Sequence, residues 1–228
     1  MSLQGAVIAF DLDGTLVDTA GDLIGSINQV LGEQGLAPFP VEAARWLIGH
    51  GVNAAVQRAF AERGQTLDGG GLADRVARFT EIYRGRIAQE SVPFPGVPET
   101  LDRLVEAGAR LAVCTNKRTA LSVALLDALK LTDRFAFVAG GDLVAQKPDP
   151  RLLRYAIEQA GGSAGRALSV GDSMIDQATA RAACVPVVGV TFGYVPTPLK
   201  AGDFDALIDR FEELPAVADR LLSGSAGT

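Results

Sequence analysis

Cysteine is scarce in this chain, and what little there is lacks a pattern. Cys114 and Cys184 stand far apart with no CxxC spacing, which excludes a disulfide framework and offers no zinc knuckle. Both are expected to be buried, reduced thiols. Positive charge is also short: 21 Lys and Arg face 27 Asp and Glu, giving a net charge of −6. A nucleic-acid partner needs a basic face to displace counterions, so none is expected. A small anionic ligand is still allowed, provided its charge is met locally. The early apolar stretch from Ala6 to Phe10 runs into Asp11 too soon for a signal segment or a membrane span. A cytoplasmic protein with no membrane partner is the expectation.

What the chain does contain is an ordinary globular composition, 48% hydrophobic and 21% charged over 228 residues, enough for one large domain or two modest ones. Short runs rich in Val, Ile and Ala at 6–10, 111–114, 135–139, 167–170 and 185–190 suit strands buried on both faces. Helical patterns at 97–107, 120–129, 152–160 and 175–183 lie between them. Alternating strands and helices of this kind predict an α/β class with a doubly wound, mostly parallel sheet.

From Thr15 to about Pro93 the strand signal gives way to helical spacing, as in Leu23, Ile27, Val30 and Leu31, and in Leu72, Val76, Phe79 and Tyr83. The chain then passes through Val92-Pro93-Phe94-Pro95-Gly96, a stretch suited to a domain boundary. Residues 1–15 and 94–228 are therefore expected to form the α/β core, and 16–93 an inserted all-helical cap. Gly69-Gly70-Gly71 reads as a loop within that insert.

In open α/β sheets ligands bind beyond the carboxyl ends of the strands, so the residues after each apolar run carry the functional signal. Asp11, Asp13, Gly14 and Thr15 follow the first run; Thr115, Asn116 and Lys117 follow the second; Gly171, Asp172 and Ser173 follow the fourth. A further loop, Gln146-Lys147-Pro148-Asp149-Pro150, precedes a helix. Taken singly, a carboxylate after a strand reads as a helix cap and Lys-Pro-Asp-Pro as a turn. Those readings leave unexplained the joint arrival of three carboxylates, a hydroxyl and a lysine at one edge. Phosphoryl transfer calls for this set: hard oxygen ligands for Mg²⁺, donors for the equatorial oxygens and an in-line nucleophile.

Phe10-Asp11-Leu12-Asp13-Gly14-Thr15, Cys114-Thr115-Asn116-Lys117, Lys147-Pro148-Asp149 and Val170-Gly171-Asp172-Ser173-Met174-Ile175-Asp176 together resemble the four ordered motifs of the haloacid dehalogenase superfamily. Asp18-Thr19-Ala20-Gly21-Asp22-Leu23, Gly140-Gly141-Asp142 and Gly193-Tyr194 resemble its phosphoglycolate phosphatase branch. Arg118, where a proline commonly follows the lysine, and Cys184, where a glycine commonly closes the helix, depart from the pattern.

The resemblance implies that Asp11 is the nucleophile and Asp13 the general acid and base. It implies that Thr115, the Asn116 amide and Lys147 grip the phosphoryl oxygens. Mg²⁺ would be held by Asp11, Asp172 and the Asp13 carbonyl, with Asp176 orienting Lys147 or a water. A small phosphorylated metabolite, 2-phosphoglycolate first, is the implied substrate; Arg45, His50 and Lys117 are candidate contacts for its second anionic group, with a solvated helix face the alternative for Arg45 and a plain loop residue that for His50. A phosphomutase or sugar-phosphate phosphatase of the same superfamily, and more remotely a non-catalytic phosphometabolite-binding protein, are the alternatives.

Overall fold

The computed structural model describes residues 3–49, 51–194 and 198–223. The chain enters the sheet with β1 (Val7–Phe10) and leaves it through a two-residue strand β2 (Val17–Asp18). Helices α1 (Ala20–Gly32), α2 (Ala44–Leu47), α3 (Val52–Ala61) and α4 (Gly69–Gly85) follow. The chain comes back through β3 (Val92–Pro93) and α5 (Val97–Glu106). Then strands and helices alternate: β4 (Arg110–Thr115), α6 (Thr119–Ala128), β5 (Phe135–Gly140), α7 (Pro150–Gln159), β6 (Ala167–Gly171), α8 (Met174–Ala183) and β7 (Val187–Val190). A last strand β8 (Ala206–Ile208) and helix α9 (Leu214–Ser223) complete the described chain.

Six strands form one sheet in the order β5-β4-β1-β6-β7-β8, and every pairing in it is parallel. Because successive side chains in a strand point to opposite faces, β1 divides its four residues between two cores. Ile8 and Phe10 pack with Leu101 and Leu104 of α5, Leu125 of α6 and Ala218 of α9. Val7 and Ala9 pack on the other face with Leu152 and Ile157 of α7 and Ala180 of α8. Burial on both faces is why the strands read as unbroken apolar runs rather than alternating ones. Each large side chain fully buried in this way contributes about 1.5–3 kcal/mol. The layered α/β reading of the sequence is met.

A third apolar cluster belongs to α1–α4. Leu23, Ile27 and Leu31 pack with Leu47, Val56, Phe60, Phe79 and Tyr83, and among the described residues Leu121 of α6 is the one buried member that comes from the rest of the chain. Two features were not foreseen. Val17 pairs with Pro93 and Asp18 with Val92, so the outgoing and returning chains are stitched antiparallel where they leave the sheet. A two-strand pair this short is marginal alone, and it is continued by the Phe94 amide donating to the Leu16 carbonyl at 3.0 Å. Gly69, Gly70 and Gly71 form the first turn of α4 rather than a loop, because the Asp68 side chain accepts from the Gly71 amide at 2.6 Å and supplies the N-cap.

Cys114 is buried as expected, whereas Cys184 is exposed. Cys184 ends α8 in the left-handed conformation at φ 59°, the geometry for which helices ordinarily use glycine. Among the described residues no helix is long and apolar enough to cross a membrane.

Candidate active site

The sheet order reverses direction around β1, with β4 on one side and β6 on the other, so the loops after these three strands converge at one edge. Asp11 is the first residue past β1, and its amide donates to the Val170 carbonyl of β6 at 2.9 Å. Lys147 places Nζ 2.8 Å from Asp11 Oδ1 and 2.6 Å from Asp176 Oδ1. Asp11, Asp172 and Asp176 each turn a carboxylate oxygen into one cluster, and these oxygens lie within 4.8 Å of one another.

Local chemistry fixes each of these groups. Asn116 brackets the main chain of Lys147: its Oδ1 accepts from the Lys147 amide at 2.7 Å and its Nδ2 donates to the Lys147 carbonyl at 3.2 Å. The side chain of Asn116 is thus engaged in shaping the lysine loop. Asp149 then caps α7, accepting from the Arg151 amide at 2.9 Å, with Pro150 at the first helical position. Asp176 forms a capping box with Ser173 at the start of α8, accepting the Ser173 hydroxyl at 2.5 Å on Oδ2 while Oδ1 meets Lys147.

Asp172 is packed by glycines. A side chain at Gly14, where φ is +85°, would lie 2.5 Å from Asp172 Oδ2, and one at Gly193 would lie 2.2 Å from Asp172 Cβ. Both positions need the absence of a Cβ for the carboxylate to sit where it does. The Tyr194 amide donates to Asp172 Oδ2 at 2.7 Å.

Asp13 lines the same edge with a different set of partners. Lys117 Nζ binds both its oxygens, at 2.7 and 2.8 Å, and the Thr19 hydroxyl donates to Oδ1 at 2.8 Å. Lys117, expected as a substrate contact, is therefore an ion-pair partner of Asp13, with its ammonium 4.7 Å from the ring centroid of Tyr83 in α4. Thr115 is buried, and its hydroxyl accepts from the Lys117 amide at 3.2 Å. Arg45 has its backbone in α2, but its side chain, like the whole of His50, lies outside the described residues.

Electrostatics follows from burial and crowding. Burial pushes the Asp11 carboxyl up to about 6; Lys147 opposes the rise and the like charges of Asp176 and Asp13 add to it. Asp172 is raised well above the usual carboxylate range, by burial first and then by Asp176 and Asp11. Burial works against the charged form of Lys147, yet Asp11 and Asp176 outweigh it and hold the ammonium protonated. Cys114, just behind the site, has its thiol pushed up to about 12 by burial and is inert as a nucleophile. A divalent cation among the carboxylates would favour their ionised forms. The donor set suits Mg²⁺: hard carboxylate oxygens, with no histidine or cysteine in the cluster.

A cavity of about 300 Å³ lies over this edge. Its floor carries Asp11, Asp13, Thr115, Asn116, Lys117 and Lys147, while Leu23, Ile27, Val52, Val76, Phe79 and Tyr83 of the helical insert close it from above. Gly49 and Gly51, the neighbours of His50, also border it. Sequence reasoning missed the second layer of this site. Thr19 holds Asp13, and Tyr194 holds Asp172; their only sequence signal was membership in the Asp18-Thr19-Ala20 and Gly193-Tyr194 strings.

The haloacid dehalogenase-like hydrolase family model matches residues 8–190. The chain is 47% identical over 222 residues to a phosphoglycolate phosphatase of Caulobacter vibrioides, covering 97% of this chain and 94% of that protein. It is 46% identical over 219 residues to a phosphoglycolate phosphatase of Agrobacterium fabrum, covering 95% and 94%. A crystal structure of a predicted phosphoglycolate phosphatase from Haemophilus somnus superposes with a TM-score of 0.88 at 31% identity, covering 95% of this chain and 99% of that one. With the carboxylate and lysine edge described above, these matches establish that the chain belongs to the haloacid dehalogenase-like hydrolases, as a phosphatase.

Proposed function

We propose that the protein hydrolyses 2-phosphoglycolate with Mg²⁺ through an aspartyl phosphate on Asp11. The observation that carries this reading is the pairing of Asp11 Oδ1 with Lys147 at 2.8 Å inside a cluster of three carboxylates. A carboxylate beside a buried cation is oriented for attack, and the same cation can meet a transferring phosphoryl group. The names of the similar phosphatases support glycolate as the leaving group.

In this reading Asp11 attacks phosphorus, forming one O–P bond as the bond to the leaving alcohol breaks. Asp13 donates its proton to the departing alkoxide, then takes a proton from the water that hydrolyses the acyl phosphate. Lys117 and Thr19 keep Asp13 in position for both transfers. Thr115, the Asn116 main-chain amide and Lys147 bind the phosphoryl oxygens. Asp11, Asp172 and the Asp13 carbonyl would hold Mg²⁺, with Asp176 fixing Lys147; the cation would supply charge stabilisation to the phosphoryl group. Residues 16–93 act as a cap over a core of 1–15 and 94–228, closing on the substrate and excluding water. Lys117, which also lines the cavity, would meet the second anionic group of the substrate, with Arg45 and His50 as further candidates from the cap.

A kinetic panel tests this. The value of kcat/KM for 2-phosphoglycolate should exceed those for sugar phosphates and p-nitrophenyl phosphate by at least about tenfold. Inorganic phosphate should be released without a bisphosphate activator, and chelation of divalent cations should abolish turnover. A sugar phosphate that outranks phosphoglycolate, a requirement for an activator, or full activity after chelation would each defeat the corresponding part.

A further inference from the structure

Tyr194 touches the acidic cluster and the helical insert at the same time. It sits in the loop after β7, two residues past Phe192, whose ring packs 4.9 Å from Phe94 and 6.5 Å from Phe211. Its main-chain N–H is bound to Asp172 Oδ2 at 2.7 Å. At the other end its hydroxyl donates to Asp18 Oδ1 at 2.5 Å and accepts from the amides of Thr19 and Ala20 at 2.5 and 2.8 Å.

These contacts replace an ordinary helix cap. Thr19, the N-cap residue of α1, makes no side-chain cap bond, because its hydroxyl is donated to Asp13. The first amides of a helix have no partner within it and must find one outside. Here the Tyr194 hydroxyl, from a residue 175 positions away in the chain, accepts from the Thr19 amide and shares the Ala20 amide with Asp18 Oδ1 at 3.2 Å. Its ring packs against the apolar cluster of the insert, and a side chain at Gly14 would meet it at 3.0 Å. A tyrosine has two side-chain torsions, so the link between its main chain and its hydroxyl is short and stiff.

We propose that Tyr194 is a positioning residue that couples the placement of α1, and with it the insert, to the placement of Asp172. Displacing α1 pulls on the hydroxyl, and through the tyrosine main chain on the hydrogen bond that orients Asp172. The coupling is reciprocal: whatever fixes Asp172, a divalent cation above all, favours the placement of α1 seen here. This inference rests on Asp172 belonging to the acidic cluster and is independent of which phosphomonoester is hydrolysed.

Hydrogen exchange at the first turn of α1 in the full-length protein tests it. Tyr194→Phe keeps the ring and the main-chain bond to Asp172 but removes all the hydroxyl contacts, and exchange there should rise about fivefold. Asp172 takes its hydrogen bond from the Tyr194 amide and not from α1, yet Asp172→Ala should raise the same exchange about threefold on its own and add nothing in combination with Tyr194→Phe. Millimolar Mg²⁺ should slow that exchange in the wild type and leave Tyr194→Phe unchanged. Additive effects of the two substitutions, or an α1 indifferent to Tyr194→Phe, would overturn the coupling. Should Tyr194→Phe fail to fold, Asp172→Ala and the Mg²⁺ response of the wild type carry the test, and an α1 first turn whose exchange moves with neither would overturn the coupling. A protein that shows the coupling but prefers another phosphomonoester would leave the inference standing and the phosphoglycolate reading defeated.

Discussion

At the edge of the sheet, Asp11, Asp172, Asp176 and Lys147 are charged groups crowded together, each held by main-chain amides, a helix cap or an ion pair. In the helical insert the interior is apolar, and among the described residues a few polar groups tie it to the core, Tyr194 and Asp13 at the start of α1 and Lys117 over Tyr83, while Asp22 ties α1 to the insert's own returning end. The first region concentrates unfavourable charge where chemistry needs it and depends on the sheet for rigidity. The second gains its stability by burial and leaves its attachment to a handful of bonds. A chain can therefore lose activity without losing stability at one place, and lose stability without losing chemistry at another.

Asp11→Asn is the sharpest way to separate the two. Turnover should fall at least about a thousandfold, because a carboxamide cannot accept the phosphoryl group. Stability should change by no more than about 1 kcal/mol, a shift of about 2–4 °C in the thermal midpoint, since Lys147 keeps Asp176 and one buried like-charge neighbour is lost. Parallel kinetics and thermal melts check both halves.

The opposite break is Asp22→Asn. The buried Asp22 carboxylate of α1 accepts from the Ser91 amide and hydroxyl at 2.8 and 2.7 Å, from the Glu90 amide at 3.0 Å and from Arg86 at 3.3 Å. Losing these charge-assisted bonds should cost about 2–3 kcal/mol, with kcat per folded molecule changed by less than about threefold. Burial alone would raise this carboxyl, but the bonds from Ser91, Glu90 and Arg86 outweigh it and hold it below the ordinary value. A lowered folded pKa means that the stabilisation is present above the unfolded value of about 3.9 and is lost as pH falls below it. Urea melts should therefore show the gap between wild type and variant closing on acidification below about pH 4.

The smallest effect is expected at Cys184→Gly. Removing the Cβ from a residue at φ 59° relieves left-handed strain and should stabilise the protein by up to about 1 kcal/mol, raising the thermal midpoint without altering turnover.

Much of this was readable in the chain itself because the sheet is buried on both faces. Runs such as Val7–Phe10 and Leu111–Cys114 carry no polar interruption, so each strand and the polar residue ending it stand out. The short strands β2 and β3 escaped notice because two residues give no periodicity. The helical start at Gly69 escaped because propensity speaks against three glycines, while a single cap bond from Asp68 outweighs it. Lys117 was recognised as belonging to the site, but nothing in its neighbours along the chain said that its ammonium would find Asp13.

By itself the sequence determined the class of the fold, the strand ends at which the chemistry gathers and the identity of the carboxylates and lysine gathered there. These follow from local pattern, since a strand buried on both faces and the polar residue ending it are written in consecutive letters. Only the tertiary structure decided which cation meets which carboxylate, that Asn116 holds the lysine loop, and that Tyr194 reaches across the molecule to cap α1. Such pairings join residues far apart in the chain, and what selects them is the need of buried donors and acceptors for partners once the strands and helices have packed.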